Sequence, residues 1–124
     1  MKDEEHQIQK AYFEILAWNE KDFPYLKYIF AIPNGGHRHI SVAKKMKAEG
    51  VRRGVPDIFI PVGFGLYRYG KWLETKTEKG VMSKEQREYS KFLLREGYDY
   101  ALCRSCDELV RETELYLGIT FKNK

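Results

Sequence analysis

The feature that most constrains the fold is the stretch of residues 54–76, in which two apolar runs are separated by glycines. Val55 to Val62 is rich in β-branched and aromatic residues, which indicates a buried strand, and Lys71 to Thr77 indicates a second strand. The glycines between the two runs are Gly63, Gly65 and Gly70. We therefore expect two neighbouring strands here, around which the rest of the chain packs.

Three charged residues interrupt these apolar runs, namely Asp57, Glu74 and Lys76. Side chains alternate between the faces of a strand, so Glu74 and Lys76 project together, and a hairpin would bring Asp57 beside Glu74. Two carboxylates at one point suit a hard divalent cation such as Mg²⁺. An ammonium beside them can orient a water or stabilise negative charge on a phosphate oxygen. The stretch therefore predicts a metal site.

The alternative is a surface ion pair between Glu74 and Lys76, next to a turn aspartate. Against it, Asp57 follows a proline and leads directly into the apolar run Ile58-Phe59-Ile60. A carboxylate at the head of a core strand is costly unless another group pairs with it.

The remaining segments alternate between helical and extended patterns. They predict helices over Asp3–Trp18, Ser41–Glu49, Ser83–Glu96 and Asp107–Leu117, and further strands over Tyr25–Ile32 and Tyr98–Cys103. The expected buried positions of the last two helices are Tyr89, Phe92, Leu93, Leu109, Val110 and Leu115. Residues 118–124 are expected to fray. The order of elements predicts one α/β domain over residues 1–124, with a small mixed sheet flanked by helices.

Composition and charge favour a soluble protein with an anionic partner. The chain has a net charge of +4, and residues 37–53 contain six Lys or Arg but a single acid. No apolar run is long enough to span a membrane, and the polar N-terminus does not resemble a signal peptide. We therefore expect an intracellular, cytoplasmic protein without a membrane partner or a small-molecule cofactor.

The two cysteines, Cys103 and Cys106, form a C-x-x-C motif. A zinc site would require two more ligands, and a second C-x-x-C is absent from the sequence. We expect Cys103 to end a strand and Cys106 to begin a helix.

Four segments in order, together with Glu74-Thr75-Lys76, resemble one known family. They are Ile32-Pro33-Asn34-Gly35-Gly36, Lys47-Ala48-Glu49-Gly50-Val51, Gly54-Val55-Pro56-Asp57 and Ser83-Lys84-Glu85-Gln86. The pattern Pro56-Asp57 followed by Glu74-x-Lys76 resembles the PD-(D/E)xK nucleases, and the flanking segments resemble their VRR-NUC branch (virus-type replication-repair nucleases). The resemblance implies a restriction-endonuclease-like core and a nuclease acting on DNA.

The resemblance also implies roles for the site residues. Asp57 and Glu74 would bind Mg²⁺ or Mn²⁺ with the Thr75 carbonyl, and Lys76 would activate or position the attacking water. Glu5, otherwise a charge at the start of a helix, would complete the acidic cluster or hold a second ion.

Gln86 has two interpretations. Ser83-x-x-Gln86 is a capping box, in which the glutamine binds back to the Ser83 amide. The family pattern instead places this glutamine at the active site, where it orients the lysine or a water. One side chain is not expected to serve both roles.

The basic residues after the first strand are interpreted as a DNA-binding track. Its members, with the loop asparagine before them, are Asn34, Arg38, Lys44, Lys45, Arg52 and Arg53. A solvated basic face is the alternative, but a track beside a phosphodiester site favours phosphate binding. Lys71, on the opposite face of its strand from Lys76, is expected to contribute mainly to binding.

Short members of this family from phages act as homodimers on branched DNA such as four-way (Holliday) junctions. The resemblance therefore implies a phage or prophage protein working in the host cytoplasm as a homodimer. Two alternatives stay open: a nuclease of flaps, ends or single strands with the same site, and a non-catalytic DNA-binding module.

Overall fold

The structure, a computed structural model, describes residues 3–34, 40–63 and 69–124. In chain order these residues form α1 (Asp3–Asn19), a 3₁₀ helix (Pro24–Tyr28), β1 (Phe30–Ala31), α2 (Ile40–Ala48), β2 (Ile58–Ile60), β3 (Lys71–Thr75), α3 (Lys84–Arg95), β4 (Asp99–Cys103) and α4 (Cys106–Leu117). The predicted order of helices and strands is confirmed, as is the α/β class. In the described part of the chain, no helix is long and apolar enough to cross a membrane.

The four strands form one mixed sheet in the order β1-β2-β3-β4. β1, β2 and β3 are antiparallel neighbours, and β4 runs parallel to β3. The predicted pairing of the two central strands is confirmed, with Ile58 opposite Leu73. The first of them is shorter than predicted because Pro56 and Pro61 flank it, and neither can donate a ladder hydrogen bond.

One face of the sheet carries the core. Ile58, Ile60 and Leu73 are fully buried there and cluster with apolar side chains of α1 and α4. The two helices are also joined by a buried hydrogen bond of 2.7 Å between Tyr12 Oη and Thr113 Oγ1. The opposite face carries Glu74. The contact between Gln86 and Glu74 shows that α3 lies on this side of the sheet. The sheet therefore separates the apolar core from Glu74 and Gln86.

Lys71 does not contribute a free charge for binding, so this expectation is wrong. Its side chain lies on the core face, 2.9 Å from Asp99 Oδ2 and 2.7 Å from Glu112 Oε1. Burial lowers the pKa of Lys71, but its hydrogen bonds to Glu112 and Asp99 outweigh this effect and raise the pKa overall. Lys71 thus stays charged and ties β3 to β4 and α4.

We expect Lys71→Met to lower the free energy of unfolding by about 2 kcal/mol. The loss is smaller than the 3–5 kcal/mol expected for a fully buried pair, because both partner carboxylates retain some exposure to water. Urea denaturation measures it, with Lys79→Met on the exposed turn as the control. Equal stability of the two variants would contradict a structural role for Lys71.

The predicted strand Tyr25–Ile32 is largely wrong. Residues Pro24–Tyr28 form a 3₁₀ helix with Leu26 buried, and only Phe30–Ala31 pairs with β2. Proline is favoured in the first turn of a helix because its φ is already fixed near the helical value. Pro24 therefore overrides the β propensity of the aromatic residues that follow it.

Residues 118–124 do not fray, contrary to expectation. Phe121 is buried, and the Asn19 side chain at the end of α1 binds the tail backbone. Asn19 Oδ1 accepts from Lys122 N at 2.9 Å, and Asn19 Nδ2 donates to Asn123 O at 2.6 Å. The C-terminal segment is therefore part of the folded domain.

Two predicted core positions are also wrong. Phe92 and Leu115 are 50% and 65% exposed, whereas Leu93, Leu109 and Val110 are buried as predicted. A surface helix buries only one stripe of its circumference. In α3 that stripe passes through Ser90 and Leu93, which turns Phe92 towards the solvent.

Candidate active site

The two predicted acids meet at one end of the central strand pair. Asp57 directly precedes β2, and its amide donates to Leu73 O at 3.0 Å, so the pairing with β3 continues up to it. Glu74 is the neighbour of Leu73 on β3. Both acids are buried, with Asp57 7% and Glu74 1% exposed. The alternative of a surface ion pair is therefore wrong.

Asp57 is held by backbone groups and by Asn34. Its Oδ2 accepts from the Thr75 amide at 2.8 Å. The Asn34 amide group donates to the carbonyl oxygens of Val55 and Pro56 and lies 3.4 Å from Asp57 Oδ1. The carbonyl and the amide of one strand residue point to the same edge of the strand. The Thr75 carbonyl therefore lies on the edge of β3 that faces Asp57. A carbonyl that binds the same metal ion as Asp57 would have to lie on this edge.

Glu74 carries an unsatisfied oxygen. Its Oε2 accepts from Gln86 Nε2 at 3.2 Å, but Oε1 is buried without a hydrogen-bond partner among the described residues. Burial, the negative charge of Asp57 and a side-chain hydrogen bond with Asp57 raise the pKa of Glu74 to about 10, against the opposing charge of Lys76. A buried, unpartnered carboxylate oxygen beside a second carboxylate is costly alone and fits a divalent cation, which prefers oxygen ligands.

Lys76 is half-buried at the same end of β3. Its amide donates to Cys103 O at 2.9 Å, which fixes the backbone, and its charge lowers the pKa of Glu74. Within residues 3–34, 40–63 and 69–124, no ion pair joins Lys76 to a carboxylate. The ammonium group therefore lies near the acids without being neutralised by one of them.

Arg104 fixes the turn that follows Lys76, a role that no sequence pattern indicated. Its Nη1 donates to the carbonyl oxygens of Thr77, Glu78 and Gly80 at 2.7, 3.1 and 2.7 Å. Arg104 follows the residue whose carbonyl binds the Lys76 amide. Only the parallel pairing of β3 with β4 brings the two segments together, and no short sequence motif encodes that pairing.

Gln86 completes the capping box and also donates to Glu74, so the expectation that a capping glutamine would not also reach the acids is wrong. Its role in orienting Lys76 or a water stays a prediction. Gln86 Oε1 accepts from the Ser83 amide at 2.8 Å, and Ser83 Oγ accepts from the Gln86 amide at 3.1 Å, which completes the capping box. The other end of the same side-chain amide, Nε2, donates to Glu74. A side-chain amide has one acceptor and two donors, so cap and site use different atoms.

Two substitutions separate the roles of Gln86. We expect Ser83→Ala to lower the free energy of unfolding by about 1 kcal/mol, as for the removal of an N-cap, with little change in the activity of the site. Gln86→Ala should cost similar stability and also impair the site, because Glu74 loses its donor. Thermal melting and single-turnover cleavage measure the two effects. Equal cleavage by both variants would mean that Gln86 acts only as a cap.

Glu5 lies near the acids but not among them. It is half-buried in the first turn of α1, and its charge raises the pKa of Glu74. Within the described segments, no three Asp, Glu, His or Cys side chains converge closely enough to hold a metal ion. A role for Glu5 at the site would therefore act through a water or a second ion.

Tyr100 is a neighbour that the sequence did not indicate. It pairs with Trp72 across β3 and β4, and its hydroxyl is buried without a partner among the described residues. Burial and the charges of Glu74 and Asp57 raise the pKa of Tyr100, so its hydroxyl stays protonated.

Cys103 and Cys106 lie at the strand end and the helix start, as predicted, and burial raises the pKa of Cys103 to about 12.

Four of the six residues predicted to bind DNA line a groove beside the acids. The groove has a volume of about 940 Å³ and lies between α2, residues 51–55 and the start of α3. Its lining includes Asn34, Lys44, Arg52 and Arg53. Lys45 is exposed on α2 but does not line it, and Arg38 lies outside the described residues.

Gly54, which lines the groove, allows the loop before Asp57 to pack closely against α3. Its φ is +87°, a value that favours glycine, and an added Cβ would collide with the backbone carbonyl of Glu85. The loop that leads to Asp57 therefore packs directly on the first turn of α3, which carries Gln86.

The mixed sheet, the paired acids and the adjacent lysine have the arrangement expected of PD-(D/E)xK nucleases. A family model places the chain more narrowly, since the VRR-NUC domain model matches residues 3–107. The chain belongs to the VRR-NUC domain family, whose members are nucleases of this type.

A solved structure described as a VRR_NUC domain protein has a similar fold. It superposes with a TM-score of 0.76 at 23% sequence identity, over 96% of this chain and 92% of the other. No protein of curated function matches the sequence.

Proposed function

We propose that this chain is a Mg²⁺- or Mn²⁺-dependent DNA endonuclease that cuts branched DNA, such as four-way junctions, by phosphodiester hydrolysis. The observation that carries the proposal is the buried pair of Asp57 and Glu74, with one Glu74 oxygen unpartnered and Lys76 close by without an ion pair among the described residues. Structural ion pairs satisfy their charges, whereas this arrangement leaves both an acceptor and a cation available.

The proposed roles follow from the contacts. Asp57, Glu74 and the Thr75 carbonyl would hold the cation, which supplies a more acidic bound water and neutralises charge on the phosphate. The Thr75 amide keeps Asp57 in place, and Gln86 keeps Glu74 in place. Lys76 would orient the attacking water or stabilise negative charge on the phosphate oxygens. We include Glu5 as the residue that supports a second ion or a bridging water.

The exposed cations beside the acids support DNA as the substrate. Lys44, Arg52 and Arg53 line the groove that reaches Asn34 and Gln86. Of these two, Asn34 contacts the loop before Asp57, and Gln86 contacts Glu74. A DNA strand bound along these cations would place its phosphates close to the carboxylates of Asp57 and Glu74.

We expect the double variant Arg52→Ala and Arg53→Ala to weaken binding to all DNA sequences alike. The slope of log K against log salt should fall by about one unit for each phosphate that the variant no longer binds. Fluorescence anisotropy at several salt concentrations measures both quantities. The control is Arg87→Ala, which removes an exposed cation outside the groove. A weakening confined to particular base sequences would contradict phosphate binding.

We further propose that the protein acts as a homodimer. Two active sites related by a two-fold axis could cut two strands of a junction symmetrically. The exposed rings of Tyr28, at the end of the 3₁₀ helix, and of Phe30, on the outer strand β1, offer apolar area for such contact. Light scattering during gel filtration tests the oligomeric state directly.

Cleavage assays test the proposed function. One purified sample is incubated with duplex, flap, splayed-arm and four-way-junction DNA, in the presence of Mg²⁺, Mn²⁺ or EDTA. We expect metal-dependent cutting, with the junction cut fastest. Preference for flaps, ends or single strands would keep the site assignment but change the substrate. DNA binding without cleavage under any metal would mean that the chain is a binding module.

A further inference from the structure

The groove next to the active site has more apolar surface than phosphate binding requires. α2 contributes Ile40, Ala43, Lys44 and Lys47 to its lining, a spacing that places these residues on one face of the helix. Val51 and Val55 line the groove from the adjoining loop. The groove is thus lined by both cations and aliphatic side chains.

The helix that forms this wall is not supported by the core. No residue of α2 is buried, and Ile40 is 72% exposed. Isolated helices shorter than about 12–15 residues are marginal in water, and α2 has nine residues. Its inner face is therefore suited to being covered by a ligand in the groove.

The charges of the lining indicate what the ligand is. The groove is lined by four cations, Lys44, Lys47, Arg52 and Arg53, and by one acid, Glu85. Among the ion pairs of the described residues, none involves these four cations. An anionic polymer with apolar faces would satisfy both the cations and the aliphatic side chains.

A paired duplex does not meet this description, because its base faces are hidden in the stack. An unpaired nucleotide exposes both a phosphate and a base face, and bases stack readily on guanidinium planes. The volume of about 940 Å³ lies within the range of pockets that hold small organic ligands. At the end of the groove nearest the acids, Asn34 donates to the carbonyl of Pro56, which precedes Asp57, and Gln86 donates to Glu74.

We propose that this groove binds an unpaired nucleotide adjacent to the phosphodiester bond that is cut. The inference rests on the proposed nuclease function and names the feature of branched DNA that the protein would select. The unpaired base would cover Ile40 and Val51, while its phosphates contact the cations. Preference for branches that carry unpaired nucleotides, such as flaps and splayed arms, then follows, whereas a four-way junction meets this requirement only when a base pair at its centre opens.

The test compares two oligonucleotide duplexes that differ in one nucleotide. Both carry 2-aminopurine at the same position, in one duplex as an unpaired bulge and in the other opposite thymine. Binding is measured in EDTA by anisotropy and by 2-aminopurine emission, so that no cleavage intervenes. Wild-type protein should bind the bulged duplex more tightly and should change only its emission.

The variants are Ile40→Ser and Val51→Ser, whose side chains are exposed enough for the fold to tolerate them. Each should weaken binding of the bulged duplex by about three- to tenfold and leave the paired duplex unchanged. The matched controls are Val42→Ser, on α2 but outside the groove, and Val81→Ser, in the exposed segment before α3. Neither control should alter the binding of either duplex.

Four outcomes would overturn the inference. Equal weakening on both duplexes, or no weakening on either, would mean that the groove contacts at most the phosphate backbone. Wild-type binding of neither duplex, with no cleavage of any DNA, would remove the proposed function as well. Metal-dependent cleavage together with insensitivity to Ile40→Ser and Val51→Ser would reject the nucleotide site alone.

Discussion

Asp57→Asn and Glu74→Gln are each expected to lower the single-turnover cleavage rate by about a thousandfold. Each substitution keeps the shape of the side chain but removes a negative charge that would hold the cation. Without metal, DNA binding should survive or tighten for Asp57→Asn, because less negative charge would face the phosphates. It should stay unchanged for Glu74→Gln, because the raised pKa of Glu74 keeps its carboxyl protonated at neutral pH. Cleavage at saturating protein and anisotropy without metal measure the two quantities separately.

The control for the acids is Glu78→Gln, in the exposed turn after β3. It should leave cleavage unchanged. Stability gives a second check on Glu74→Gln. The raised pKa of Glu74, about 10, means that at neutral pH ionisation of this group favours the unfolded chain. The metal-free variant should therefore melt no lower than wild type. Near-normal cleavage by either site variant would reject the assignment.

Lys76→Met is expected to lower the cleavage rate by about 10²–10³-fold, with folding and metal binding largely intact. The ammonium group has no ion-pair partner among the described residues, so its removal leaves no carboxylate without a partner. If Lys76 formed only an exposed ion pair, the substitution would cost about 0–1 kcal/mol in stability and little activity. Single-turnover cleavage at saturating protein isolates the chemical step from binding.

The choice of control decides what this experiment shows. Lys71 is unsuitable, because its substitution removes a buried ion-pair partner of Asp99 and Glu112. Lys79 is exposed in the turn that follows β3, and Lys79→Met should leave turnover unchanged. Equal, modest reductions for Lys76→Met and Lys79→Met would mean that Lys76 acts through general electrostatics.

The sequence predicted the parts of the site that depend on local patterns. Alternation along a strand placed Glu74 and Lys76 on one side, and the apolar run after Pro56 placed Asp57 at the head of a buried strand. The capping box predicted the start of α3. Each of these features depends on residues within a few positions of each other, where propensity and periodicity apply.

The features that were not predicted depend on contacts between distant segments. The burial of Lys71 requires Asp99 on β4 and Glu112 on α4, and the order of the C-terminal segment requires Asn19 at the end of α1. The capping bond of Gln86 was predicted, but its bond to Glu74 was not, because that bond depends on where α3 meets β3. Tertiary contacts decide such cases, and a single sequence does not display them.

The close packing of Gly54 on the backbone of Glu85 bears on how this protein can diverge. Any larger residue at position 54 would separate the loop that leads to Asp57 from the helix turn that carries Gln86, so this position tolerates little variation. The exposed groove residues Ile40 and Val51 have no such restriction. Selection could therefore retune the DNA shape that is recognised by changing the groove lining, while the hydrolytic centre stays intact.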